Sequence, residues 1–170
     1  MATKNLTAER VRELLNYDPE TGIFTRRSGR GTRWYAGEAV GSRQKSGYIE
    51  IGLCYQRVYA HRLAWLYMTG SWPKEQIDHK NGNRADNSFA NLREATQAVN
   101  SQNQRRARSD NKAGLLGVFH RYHTKNSGER FLAMISVDGR LKRIGLFPSA
   151  EEAHAAYVEA KRRLHEGCTI

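Results

Sequence analysis

Ile77-Asp78-His79-Lys80-Asn81-Gly82-Asn83-Arg84-Ala85-Asp86-Asn87, followed by Asn91-Leu92-Arg93 and then by Asn100, is the stretch on which the reading of this chain turns. Its residue types are those needed to activate water beside a phosphate. His79 can act as the base, because an imidazole titrates near neutral pH. Asp78 and Asn100 offer hard oxygen atoms, a set that favours Mg²⁺ or Mn²⁺ over zinc. Asn91 can hydrogen-bond the imidazole and fix its tautomer. Asp, Asn and Gly are also common turn formers, and Asn81, Asn83, Asp86 and Asn87 read as loop-shaping residues rather than ligands. The twelfth position of an EF-hand register is Phe89 and not Glu, so a calcium loop is not expected.

Upstream of this stretch the pattern alternates between short helices and short strands. Residues 7–16 read as a helix with Thr7 at its N-cap, an apolar stripe of Val11, Leu14 and Leu15, and Leu6 placed to staple against Val11. Asp18-Pro19-Glu20-Thr21-Gly22 is a turn, and Ile23-Phe24-Thr25 a candidate strand. Residues 28–47 are glycine-rich and basic and read as a loop. Tyr48–Leu53 and Arg57–Tyr59 form a hairpin around Cys54-Tyr55-Gln56. Ala60–Thr69 suits an amphipathic helix stopped by Gly70 and Pro73. His61, at its start, is either an ordinary helix-terminus histidine or a group that reaches the site.

Downstream, residues 101–116 read as a basic, flexible linker. Three strand-like runs follow, around residues 117–121, 130–137 and 141–147. A capping box of Ser149 with Glu152 then opens a helix whose stripe is Ala153, Ala156, Tyr157, Ala160 and Leu164. Period-2 alternation puts Phe131, Ala133, Ile135 and Val137 on the face against that helix, with Arg121 and Arg143 facing outward and Arg130, Arg140 and Lys142 at strand edges.

Bulk numbers narrow the partners. The chain has 170 residues, 28 Lys+Arg against 17 Asp+Glu and a net charge of +11, which points to a polyanion. Residues 101–147 hold ten of the cations and three of the acids, so the charge is local. No apolar run approaches the roughly 18 residues of a membrane helix, and no secretory pattern opens the chain. A soluble, cytoplasmic protein without a membrane partner is expected. Cys54 and Cys168 are far apart and read as ordinary thiols, neither a disulfide framework nor a zinc site. His120 and His123 have loose H-x-x-H spacing that favours surface or nucleic-acid contact over metal.

The 77–100 stretch resembles the HNH (ββα-metal) homing endonucleases of phages and introns. Ala60-His61-Arg62-Leu63 is similar to that family's helix start, and the offsets of twelve from His79 to Asn91 and nine from Asn91 to Asn100 match members ending in Asn. The resemblance implies a hairpin carrying Asp78 and His79, a loop, a short strand carrying Asn91, and a helix carrying Asn100. It further implies Asp78 and Asn100 as ligands of one Mg²⁺ or Mn²⁺, His79 as general base, Asn91 as the residue that orients it, and ends bearing 5′-phosphate and 3′-hydroxyl. Separately, Gly117-Val118-Phe119-His120-Arg121, Arg130 to Ile135 and Arg143 to Ala153 resemble an Apetala2-type DNA-binding domain, in which a three-stranded sheet enters the major groove. Phe119, Met134 and Arg143 stand where that family has other base readers.

The expected fold is therefore α+β: a ββα-metal nuclease core plus a small three-stranded antiparallel sheet with one packed helix. Residues 1–57 would support the nuclease, 58–104 form the catalytic core, 105–116 the linker, and 117–170 the DNA-binding domain. Arg105, Arg106, Arg121, Arg130, Arg140, Lys142 and Arg143 are the candidate contacts to double-stranded DNA. One site per chain implies a monomer that nicks. The alternative is a DNA-binding regulator on an inactive scaffold of the same shape; an RNA-directed protein ranks below both, since the aromatic stacking signature of the common RNA modules is missing.

Overall fold

A computed structural model describes residues 6–29, 35–121 and 130–169. His123, and residues 30–34 of the basic 28–47 stretch, lie outside them. The chain divides into two compact units, Met1–Gln97 and Ala98–Ile170. The sequence reading instead ends the nuclease at 104 and begins the next domain at 117. The fold is mixed helix and strand with small antiparallel sheets, as that reading expects.

In the first unit α1 (Ala8–Leu14) is capped by Thr7, whose hydroxyl accepts from Arg10 N at 3.2 Å. The chain then leaves the helix as β1 (Leu15–Tyr17), paired antiparallel with β2 (Phe24–Arg26) across the Asp18–Gly22 turn. Asp18 closes that turn by accepting from Glu20 N at 2.9 Å and from the Thr21 hydroxyl at 2.7 Å. The 28–47 stretch is not loop throughout: β3 (Ala39–Val40) pairs with β2, and β4 (Ser42–Arg43) pairs with β5 (Ile49–Leu53). Two-residue strands carry no readable period, so pairing alone defines them.

The hairpin of β5 with β6 (Gln56–Tyr59) turns on Cys54 and Tyr55, both left-handed at φ 51° and 63°. The next helix, α2 (Ala60–Thr69), ends at Gly70 in the left-handed C-cap, φ 80°. Leu6, Val11, Leu15, Phe24, Ile51, Leu63 and Leu66 share one core with Ile77 and Leu92. Arg12 Nε ties α1 to α2 by donating to Tyr67 O at 3.1 Å. A final hairpin, β7 (Gln76–His79) with β8 (Leu92–Ala95), is separated by a 3₁₀ turn at Phe89–Asn91 and followed by α3 (Gln97–Gln102).

The second unit is a sheet of β9 (Val118–Arg121), β10 (Arg130–Val137) and β11 (Arg140–Phe147), in order β11-β10-β9, with α4 (Ala150–Leu164) against it. Ser149 caps α4 by accepting from Glu152 N at 3.1 Å. Ala133, Ile135, Ala153, Tyr157 and Ala160 are buried, with Phe131 and Val137 packed beside them, as alternation requires. Leu132, on the opposite face, is buried as well. Gly117 passes under the Tyr157 ring, at φ 76° and with room for no Cβ.

Residues 105–116, read as a flexible linker, belong to this packing. Asn111 Nδ2 donates to Leu115 O and Val118 O at 3.0 and 3.1 Å, and Ala113, Leu115 and Leu116 join the core. The polar composition hides three apolar residues that cover the sheet and helix.

Candidate active site

Strand pairing fixes Asp78 and His79. Asp78 stands opposite Arg93 and His79 opposite Leu92. Asp78 is buried, and Arg93 places both Nε (2.9 Å) and Nη2 (2.8 Å) on its Oδ2. A directly opposed, doubly hydrogen-bonded pair is among the stronger ion pairs a sheet can hold. Arg93 was part of the quoted sequence but carried no assigned role; its place opposite Asp78 follows only from the register.

The loop from Lys80 to Asn91 is closed by its own side chains. Asn81 Nδ2 donates to Asp86 Oδ2 at 2.6 Å, and Asn81 Oδ1 accepts from Asn83 N at 2.8 Å. Asp86 Oδ1 accepts from the Ser88 hydroxyl at 2.7 Å. These are the short side-chain-to-backbone and cross-turn bonds that Asn and Asp offer, so their loop-shaping role stands.

Asn91 is a correction. Its Nδ2 donates to Asp86 O at 2.8 Å and its Oδ1 accepts from Asn81 N at 2.9 Å, so both ends of the carboxamide hold the loop closed. The residue bonded to the imidazole is Asn87, whose Oδ1 lies 3.2 Å from His79 Nε2. Asn87 Nδ2 is directed at Ala85 O, 3.3 Å away, which sets the amide with its oxygen toward the histidine. The tautomer that completes this bond carries its proton on Nε2. The offset of twelve to Asn91 could not show this, because loop folding decides which amide returns to the ring.

The N-terminal segment seats this loop. Tyr17 OH donates to Asn87 O at 2.7 Å, and Phe89 N donates to Pro19 O at 2.8 Å. Gly22, at φ 73°, lies so close that a Cβ there would stand 2.2 Å from the Asn87 carbonyl carbon. Residues 17–22, which carry no chemical signature in sequence, thus position the residue that positions His79.

His79 is 4% exposed. Burial pushes its pKa below the ordinary imidazole value, outweighing the raising effects of the Asn87 bond and of Asp78 and Asp86; Arg84 also lowers it. The ring is neutral at neutral pH, the state a base requires. Tyr48 packs 5.9 Å from it and carries Arg84 at 4.9 Å over its own face. Around one buried base stand a carboxylate–guanidinium pair and an exposed cation, an arrangement suited to removing a proton from water next to an anion.

Residues 58–102 match the HNH endonuclease family. The protein carries a nuclease domain. Its β7, loop, β8 and α3 supply the strand, loop, strand and helix expected from the sequence. No curated protein sequence matches the chain. A solved structure described as "DNA binding and cleavage by the HNH homing endonuclease I-HmuI" is similar at 22% identity, covering 91% of this chain and 88% of that one, with a TM-score of 0.42.

Outside the hairpin of the nuclease domain, Asn100 lies on α3, in the second compact unit. In that unit Arg121, Arg130, Arg140, Lys142 and Arg143 are all exposed on the sheet. Arg121 and Arg130 face each other directly across β9 and β10, a like-charge pair that costs stability unless an anion bridges it. Arg106 is exposed. Arg105 donates to Thr169 O and Oγ1 at 2.7 and 2.6 Å, so its guanidinium ties down the chain's C-terminal end as well.

Proposed function

We propose that the protein is a metal-dependent DNA endonuclease of homing type that nicks duplex DNA by general-base hydrolysis. The observation that carries this is the buried, neutral His79, held at Nε2 by Asn87. His79 takes the proton from the attacking water, and Asn87 keeps the ring in one tautomer. Arg93 holds the Asp78 carboxylate still. Asp78 is the residue that would hold one Mg²⁺ or Mn²⁺, a buried carboxylate being a hard-oxygen donor that suits either; Asn100, the second ligand suggested by the sequence, belongs to the other compact unit. When bound, the cation supplies Lewis-acid polarisation of the scissile phosphate.

Arg121, Arg130, Arg140, Lys142 and Arg143 hold the duplex, with Arg105 and Arg106 contributing from the preceding segment, and the C-terminal unit acts in the manner of an Apetala2-type domain. Phosphate contacts of this kind give salt-sensitive affinity. One base per chain supports a nick made by a monomer.

The test is conversion of supercoiled plasmid to open circles in Mg²⁺ or Mn²⁺ by the wild type and by His79→Ala. General-base removal is expected to slow nicking about 10²- to 10⁴-fold. Equal cutting by the two proteins ends this mechanism, and duplex binding without any cutting by the wild type points instead to a regulator.

A further inference from the structure

The sheet of the second unit has two faces, and α4 covers one of them. Val118, Ala133 and Ile135 lie buried on that side. Alternation puts Phe119 and Leu132 on the other side, where strand register lines them up. Phe119 stands opposite Leu132, and Leu132 opposite Leu146, so three apolar side chains form one row across β9, β10 and β11. None of the three belongs to the cores under α4. Phe119 is 47% exposed and Leu146 37%, with Leu132 buried between them. Met134, half-buried, extends the row along β10.

Cations bracket this row on the same face. Arg121 and Arg130 oppose each other two residues along the strands from Phe119 and Leu132, and Arg143 stands opposite Met134 on the far side. All three are exposed. Among the described residues, no carboxylate pairs with them. Facing arginines call for an anion, and an exposed apolar row calls for apolar groups.

Duplex DNA offers both on one surface. The C5-methyl group of thymine is the apolar group on the base edges of the major groove, and phosphates line that groove on either side. The minor groove shows no methyl group. RNA is a poorer fit, because uracil lacks the methyl and the A-form major groove is too deep and narrow for side chains to read. Phosphate contacts by the arginines serve any sequence, whereas burial of a methyl group depends on which base is present.

Resting on the reading that this sheet holds the duplex, we propose that Phe119, Leu132 and Leu146 are specificity-determining residues, a row that packs on thymine methyl groups in the major groove and gives the nuclease a preference for thymine-containing sites.

The experiment uses the full-length protein without divalent cation, so that no strand is cut. Duplexes are selected from a random pool, and affinity is measured for the selected site and for a copy with deoxyuridine in place of thymidine. That exchange removes the methyl group and keeps the base pairing. Both duplexes are then measured with the double variant Phe119→Ser, Leu146→Ser, its folding checked by melting temperature. The selected sites are expected to be thymine-rich, and the wild type to lose about fourfold in affinity per contacted methyl group. The variant is expected to bind the two duplexes alike, with an unchanged salt slope. Equal wild-type affinity for both duplexes overturns the proposal, and this comparison decides the matter even if the variant does not fold. A methyl effect undiminished in the folded variant overturns it too. So does self-association of the wild type that the variant abolishes while its duplex affinities stay unchanged, which gives the row to a second copy. The duplex-holding reading fails separately, if the wild type shows no salt-sensitive affinity for any duplex.

Discussion

Between His79 and Asn91 the chain is held by side chains reaching backbone groups, while Val118–Arg121, Arg130–Val137 and Arg140–Phe147 are held by a strand ladder over buried apolar residues. Asn81, Asn83, Asp86, Asn87 and Asn91 each close a piece of the first region. In the second, β10 pairs with β11 along Phe131–Val137 and with β9 along Arg130–Ala133, and Ala133 and Ile135 are buried beneath α4. The difference lies in what each construction allows. A polar loop can bury a histidine neutral and aim one nitrogen, at the cost of depending on single hydrogen bonds and on backbone closeness. A ladder over an apolar core tolerates surface change and can carry a row of cations.

Acid should separate the two regions most. The His61 pKa falls to about 3 in the folded chain from the ordinary 6.5, and His79 is shifted in the same direction. The unfolded chain therefore takes up protons first. The stability of the first unit is constant above about pH 6.5 and is lost between there and about pH 3, by a few kcal/mol at roughly 1.4 kcal/mol per pKa unit. Denaturant titrations at pH 7 and pH 4, followed by Tyr and Trp fluorescence, should show this loss in wild type and a smaller one in His61→Phe. An acid sensitivity equal in both proteins would break the comparison.

Ile135→Ala opens a cavity under the sheet and is expected to cost about 3 kcal/mol, read as an earlier melting step of the second unit in calorimetry. DNA affinity should fall with it. Should the first unit melt earlier instead, Ile135 does not act through the second unit's own core.

Gly22→Ala drives a methyl group into the Asn87 carbonyl at a left-handed backbone position and is expected to cost about 2 kcal/mol. Nicking should decline further than this stability loss explains, because the loop carrying Asn87 must move. Unchanged single-turnover rates at a temperature where the variant is fully folded would show that the 17–22 turn does not seat the site.

The smallest effect is expected from Arg143→Ala on the sheet. Duplex affinity should drop severalfold, and the slope of log affinity against log salt should lessen by about one, as for loss of one phosphate contact, with the saturated nicking rate intact. An unaltered salt slope would remove β11 from the DNA-facing surface.

Much of this was legible before any coordinates. Apolar periodicity together with caps at Ser149 and Gly70 placed α2 and α4 to within a residue, because both signals are local. The family resemblance carried by Asp78, His79, Asn91 and Asn100 implied a hairpin, a loop and a helix. The pairs Ala39–Val40 and Ser42–Arg43 were not legible, since two residues define no alternation. Nor was the packing of Ala113, Leu115 and Leu116, whose apolar residues are outnumbered by polar neighbours along the chain.

The sequence by itself determined the element types, the charge and the set of groups able to do the chemistry, because helix stripes, strand alternation and residue identity are properties of neighbours along the chain. The tertiary structure alone decided which of them meet. Asn87 rather than Asn91 reaches His79, Arg93 grips Asp78, Tyr17 and Gly22 support the loop from some seventy residues away, and His61 packs edge-to-face on His79. Each of these is a contact between atoms brought close by folding, and a hydrogen bond or a burial shift depends on distance in space, which spacing along the chain does not encode.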